Sequence, residues 1–129
     1  MSAVLLDTHA ALWWIGDDPR LPRSARRAIA KPETVRFFSA ASAWELSIKS
    51  SLDKLRLPLP VGRFLEEQLP INRIELLAIT FADLTRLESL PFHHRDPFDR
   101  LIAAQALDRD LAIVSTDRVF EEYGVTRIW

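Results

Sequence analysis

The chain has 129 residues, of which 17 are basic and 18 acidic, for a formal net charge of −1. With 48% apolar and 27% charged residues it has the balance of one globular domain spanning 1–129, and not that of a polybasic nucleic-acid binder or an acidic disordered tail. The absence of cysteine excludes disulfides, thiolate zinc sites and cysteine nucleophiles, and the longest charge-free run, Thr8 to Gly16, is too short to span a bilayer. No basic stretch leads into an apolar run and a cleavage site, so a soluble cytoplasmic protein without membrane association is expected. Gly16, Gly62 and Gly124 are too far apart for any phosphate-cradling glycine loop.

Ala3-Val4-Leu5-Leu6 is a short apolar run of the kind buried in a parallel sheet, and it stops at Asp7-Thr8. Ala10, Leu12, Trp13 and Trp14 continue as an apolar helix. Pro22 to Lys31 reads as a second helix with Arg23, Arg26, Arg27 and Lys31 mostly on one side. Val35 to Phe38 is a second buried strand, after which Ser39 caps a helix running to about Leu52. Pro58 and Pro60 keep the segment from Leu55 to Pro60 out of a helix interior. Val61 to Leu69 resumes as a short helix ended by Pro70, and Ile74 to Ile79 is a third strand. Thr80 with Asp83 forms a capping box for a helix through Leu84, Leu87 and Leu90. Asp96-Pro97 opens the next helix, with a capping carboxylate followed by proline at the first helical position; Phe98, Leu101, Ile102, Gln105 and Ala106 follow. Leu111 to Val114 is a fourth strand, Asp117 to Tyr123 a short helix and Thr126 to Ile128 a last strand. This alternation predicts an α/β fold, a central, mostly parallel sheet of four to five strands with helices on both faces.

In open α/β sheets the functional crevice lies beyond the carboxyl ends of the strands. Asp7 follows the first strand, Asp117 follows the fourth, Asp99 lies in the first turn of the helix opened by Asp96, and Glu45 lies in the helix after the second strand. Each aspartate has a plain structural reading, since Asp caps helices and is favoured in a first turn. Glu45 shares a helix sector with Ala41, Ile48 and Leu52, where a carboxylate is costly unless paired or metal-bound. Lys49, one turn on, is its structural explanation. The functional case rests on all four converging. Clustered carboxylates raise one another's pKa, and hard divalent cations such as Mg²⁺ relieve the repulsion. Two such ions can serve phosphodiester hydrolysis. With only His9, His93 and His94 available, zinc is disfavoured. Residue chemistry alone reaches an acidic metal site suited to phosphoryl chemistry, and stops there.

Four stretches carry a family resemblance: Leu5-Leu6-Asp7-Thr8-His9; Ser39-Ala40-Ala41-Ser42-Ala43-Trp44-Glu45-Leu46 with Ile48-Lys49; His94-Arg95-Asp96-Pro97-Phe98-Asp99-Arg100 through Leu101 to Ala106; and Ser115-Thr116-Asp117. In this order, over essentially the whole chain, the sequence resembles the PIN-domain ribonucleases, specifically the toxin halves of type II toxin–antitoxin pairs of the VapC kind. The segment from Asp96 to Ala106 is the specific part. The resemblance implies a single PIN-like domain with Asp7, Glu45, Asp99 and Asp117 as its acidic quartet. Asp7 and Asp99 would be the principal metal ligands, and Glu45 and Asp117 would complete the site directly or through water. It further implies a Mg²⁺- or Mn²⁺-dependent endoribonuclease that cleaves structured RNA, is neutralised by a cognate antitoxin protein and forms a homodimer. Where relatives often have glycine before Lys-Leu this chain has Asp53, which tolerates a left-handed turn.

Other positions admit two readings. Asp96 is read as a helix cap before Pro97, with outer-shell water binding as the alternative. Arg95 and Arg100 fit RNA-phosphate contacts or solvated or carboxylate-paired arginines equally well. Thr8 and Thr116 read first as local turn hydrogen bonds and second as positioners of a ligand or water. The basic residues Arg20, Arg23, Arg26, Arg27 and Lys31 are either an RNA guide or a wet helix face. Trp13 and Trp14 cannot both face one neighbour, so one of them is either a surface anchor for the antitoxin or a second copy of the chain, or part of ordinary core and rim packing. The competing functional classes are a non-catalytic RNA- or protein-binding module, and an aspartyl phosphatase based on Asp7, which His9 in place of a second aspartate disfavours.

Overall fold

The computed structural model describes residues 2–129. Five strands, β1 (Ala3–Leu6), β2 (Val35–Ser39), β3 (Ile74–Leu77), β4 (Ala112–Val114) and β5 (Arg127–Ile128), form one parallel sheet in the order β3-β2-β1-β4-β5. Seven helices connect them among the described residues: α1 (Thr8–Ile15), α2 (Arg23–Ala30), α3 (Ala40–Ser51), α4 (Val61–Ile71), α5 (Phe81–Ser89), α6 (Pro97–Arg109) and α7 (Val119–Glu122). The strand period of two splits the apolar residues between two cores. Val4 and Leu6 join one with Ala25 and Ile29 of α2 and Phe64 and Leu65 of α4. Leu5 joins the other with Ile102 of α6, Ile113 of β4 and Phe120 of α7. Helices therefore cover both faces, and no helix among the described residues is long and apolar enough to cross a membrane.

Several element ends differ from the sequence expectation. β3 stops at Leu77 and not Ile79, because it pairs only with β2, whose last residue, Ser39, lies opposite Leu77 before turning to cap α3. Helix α4 passes through Pro70 to Ile71. In a last turn the proline forfeits only the bond it cannot donate, and the Asn72 amide still closes onto the Gln68 carbonyl at 3.1 Å. The helix expected from Asp117 begins at Val119, because the Asp117 side chain accepts from the Val119 amide at 3.0 Å and makes a turn first. Asp53 sits at φ 55°, the left-handed conformation that its place in the turn requires.

Strand order fixes where a site can form. From β1 the chain builds outward to β2 and β3, then crosses back to place β4 on the other side of β1. The segments leaving β1 and β4 therefore diverge at neighbouring strand ends, which opens a crevice at that switch point. Asp7 leaves β1 there, donating its amide to the Val114 carbonyl of β4 at 3.1 Å, and Ser115 to Asp117 leave β4.

Candidate metal centre

Asp7, Thr8, His9, Glu45, Lys49, Asp96, Asp99, Thr116 and Asp117 line a cleft of about 200 Å³ at this switch point. A larger groove of about 580 Å³ shares only His9 with it and is walled mainly by apolar side chains such as Trp13, Leu57 and Phe64. The carboxylates belong to the smaller one.

Each acidic side chain is placed by its own local structure. Asp7 caps α1, accepting from the Ala10 amide at 2.8 Å. Burial raises its pKa, against a lowering hydrogen bond from the Ser115 hydroxyl. The buried Ser115 oxygen accepts from the Asp117 amide at 3.0 Å, which fixes the turn that leaves β4. Glu45 is buried on α3, with one oxygen 2.7 Å from the Thr8 hydroxyl and the other 3.0 Å from Lys49 Nζ. The structural partner suggested by the spacing is thus present, and Thr8 joins the start of α1 to α3. Asp96 caps α6 through the amides of Phe98 (2.8 Å) and Asp99 (3.2 Å), which sets Asp99 in the first turn. Burial and then the negative charge of Asp96 push the Asp99 carboxyl up to about 7, with Glu45 and Asp117 adding in the same direction and His94 opposing.

One side chain of the centre has no role in the sequence reading. His94 Nε2 lies 3.2 Å from Asp99 Oδ2 and 3.5 Å from Asp117 Oδ2. One ligand atom from each of His94, Asp99 and Asp117 falls within 4.8 Å of the others, while Asp7 and Glu45 line the same cleft outside that tightest group. The available signal was a histidine two residues before a capping Asp-Pro.

The positions with two readings resolve as follows. Arg100 is buried and donates to the carbonyls of Pro91 (2.8 Å), Leu87 and Leu90 (both 3.4 Å), with its guanidinium 4.1 Å above the Phe92 ring. It faces backbone and not a phosphate, because one step along α6 from Asp99 turns a side chain by 100°. Arg95 remains exposed. Within the basic cluster, Arg20 pairs with Asp18 at 2.7 Å and Arg26 with Asp17 at 2.8 Å. Trp13 and Trp14 are both half-buried against the same core, Trp13 also meeting Trp129 at 5.8 Å. The prominent exposed aromatics are instead Phe81, Phe92 and Trp44.

The acidic cleft at the switch point of a five-stranded parallel sheet coincides with a family assignment, since residues 4–125 match the PIN domain model. The chain belongs to the PIN-domain family. Among characterised relatives it is 31% identical over 119 residues to Ribonuclease VapC22 of Mycobacterium tuberculosis, covering 92% of this chain and 89% of that protein. Among solved structures, its fold is shared with VapBC2 from Rickettsia felis bound to a promoter DNA fragment (TM-score 0.71, 17% identity, 97% of this chain and 96% of that one). It is shared likewise with DNA-bound VapBC from Salmonella typhimurium (TM-score 0.70, 21% identity, 98% and 97%).

Proposed function

We propose that the protein is a divalent-metal-dependent endoribonuclease and the toxin half of a toxin–antitoxin pair. The observation that carries this reading is the convergence of Asp7, Glu45, Asp99 and Asp117, from four distant parts of the chain, on one cleft. The family membership and the ribonuclease relative point the same way. The donor set fits a hard cation: four carboxylates share one small space, and an aspartate among them is driven toward the neutral form by burial and by its acidic neighbours. Asp7 and Asp99 would hold the ion, with Glu45 and Asp117 completing the site directly or through water. An Mg²⁺ or Mn²⁺ ion held there would supply Lewis-acid activation of water and countercharge for phosphodiester hydrolysis. Thr8 and Lys49 fix both oxygens of Glu45, and Ser115 fixes the turn that carries Asp117.

The substrate in this reading is a structured RNA. The partners are a cognate antitoxin and a second copy of the chain, for which the exposed Phe81, Phe92 and Trp44 offer apolar surface. The expected site of action is the cytoplasm. Purified protein with Mg²⁺ or Mn²⁺ should cleave RNA, and Asp7→Asn or Asp99→Asn should lower the rate at least about 100-fold while the protein stays folded. Equal cleavage in EDTA overturns the reading. RNA that is bound without metal and never cut would identify a binding module instead.

A further inference from the structure

The loop between α5 and α6 has to bring His94 to two carboxylates, and it is held by a network that the acidic quartet does not explain. The Asp96 amide donates to His94 Nδ1 at 3.0 Å. That bond makes Nδ1 the accepting nitrogen and leaves Nε2 as the N–H of the ring, the atom nearest Asp99 and Asp117. The His94 amide in turn donates to the Tyr123 hydroxyl at 3.0 Å. Tyr123 is buried and its oxygen also accepts from the Arg100 guanidinium at 3.3 Å. The same Arg100 grips the Pro91 carbonyl at the start of the loop. A buried arginine with carbonyl and hydroxyl partners and no carboxylate is an expensive way to order a loop unless the loop's position matters.

We propose that His94 is a positioning residue that sets the relative orientation of the Asp99 and Asp117 carboxylates, and that Tyr123 and Arg100 act on the site through it. The inference rests on the reading of this cleft as a divalent-ion nuclease centre. His94 Nε2 lies within 3.2 and 3.5 Å of one oxygen of each aspartate, and each carboxylate oxygen has two lone pairs, so this contact leaves donor capacity for a cation. Neighbours that orient carboxylate ligands in this way govern metal affinity strongly, with losses of about 10–100-fold when removed. His94 is thereby distinguished from a ligand: its role needs only an N–H at the Nε2 position, which a glutamine amide also provides.

The test measures Mn²⁺ uptake by the full chain, from the EPR signal of free Mn²⁺, beside RNA cleavage and melting temperature. His94→Ala should weaken Mn²⁺ binding at least about 10-fold, His94→Gln should stay within about 3-fold of the parent, and Tyr123→Phe should lose roughly 3–10-fold. Because Tyr123 acts through His94, adding Tyr123→Phe to His94→Ala should change Mn²⁺ affinity less than about 2-fold, although the losses of melting temperature add. Unchanged affinity in His94→Ala overturns the inference, as do losses that multiply in the double variant, or an imidazole-nitrogen coupling to bound Mn²⁺ showing direct ligation. If His94→Ala does not fold, Tyr123→Phe decides alone, and parental affinity in that variant overturns it. Should Mn²⁺ binding follow this order while the parent never cleaves RNA, the nuclease reading fails and the positioning role stands. RNA cleavage without the order has the opposite meaning, and a parent that takes up no Mn²⁺ defeats both.

Discussion

Asp99 is where the electrostatics of the cleft concentrate. Its carboxyl rises to about 7 from an ordinary value of 3.8, through burial first and then the charge of Asp96. Below about pH 4 the group is protonated whether the chain is folded or not, and it imposes no penalty. Above about 7 it is ionised in both states, and the folded one bears the repulsion. Metal-free protein should therefore lose stability as pH rises from about 4 to about 7, by at most roughly 4 kcal/mol from this group. Asp99→Asn should flatten that decline in a series of thermal melts, and saturating Mg²⁺ should oppose it in the parent alone. A pH dependence unaltered by Asp99→Asn would refute the assignment. Ser115 illustrates a quieter dependence. Removing its hydroxyl as Ser115→Ala takes away the acceptor of the Asp117 amide inside a buried turn, and should cost about 1–2 kcal/mol in urea denaturation. The four carboxylates of the cleft were readable as candidates, because Asp7 and Asp117 follow strands, Asp99 lies in a first helical turn and Glu45 interrupts an apolar helix sector. His94 was not, because the loop that carries it is held through its backbone amide by the Tyr123 hydroxyl, 29 residues away in the chain.

Helices α5 and α6 are locked by a buried ion pair. Asp83 is fully buried, and Arg109 donates to both its oxygens, at 2.6 and 3.1 Å. Burial works to raise the Asp83 pKa, but Arg109, the Thr80 amide and Gln105 together outweigh it and hold the carboxyl below its usual value. A depressed carboxylate contributes stability above its unfolded pKa and loses it as pH falls through the folded one, so this clamp opens only in acid. Arg109→Met would leave the charge buried and unpaired, and should cost about 3–5 kcal/mol in chemical denaturation. Gln105 passes the connection on, donating to Asp83 and bonding the Ser39 hydroxyl that caps α3. The capping box of Thr80 and Asp83 and the cap of α6 by Asp96 were legible, since both rest on contacts within four residues. The use of Asp83 as an interhelix anchor was not, because Arg109 lies 26 residues away. Asp96→Ala should lower stability by about 1 kcal/mol, and cleavage should fall further than that loss implies, because Asp99 rides on the turn it caps.

Taken whole, the molecule is a parallel sheet whose two cores meet along β1. Ile113 has no solvent exposure and joins Leu5 and Ile102 in the core beneath α6. Ile113→Ala should cost about 2–5 kcal/mol and disturb the acidic cleft with it, since β4 carries the turn to Asp117. Composition, strand and helix periods, caps and prolines were sufficient for the sequence to specify the α/β class, the order of elements and four acidic candidates, because each depends on neighbours a few residues apart. The left-handed turn at Asp53 belongs with these, as a local conformational preference. Strand order, the crevice between the ends of β1 and β4, the burial of Arg100 and the approach of His94 to Asp99 and Asp117 arose only on folding. They depend on which surfaces cover one another and on which buried polar groups then require a partner, and no short window of sequence contains both sides of such a contact.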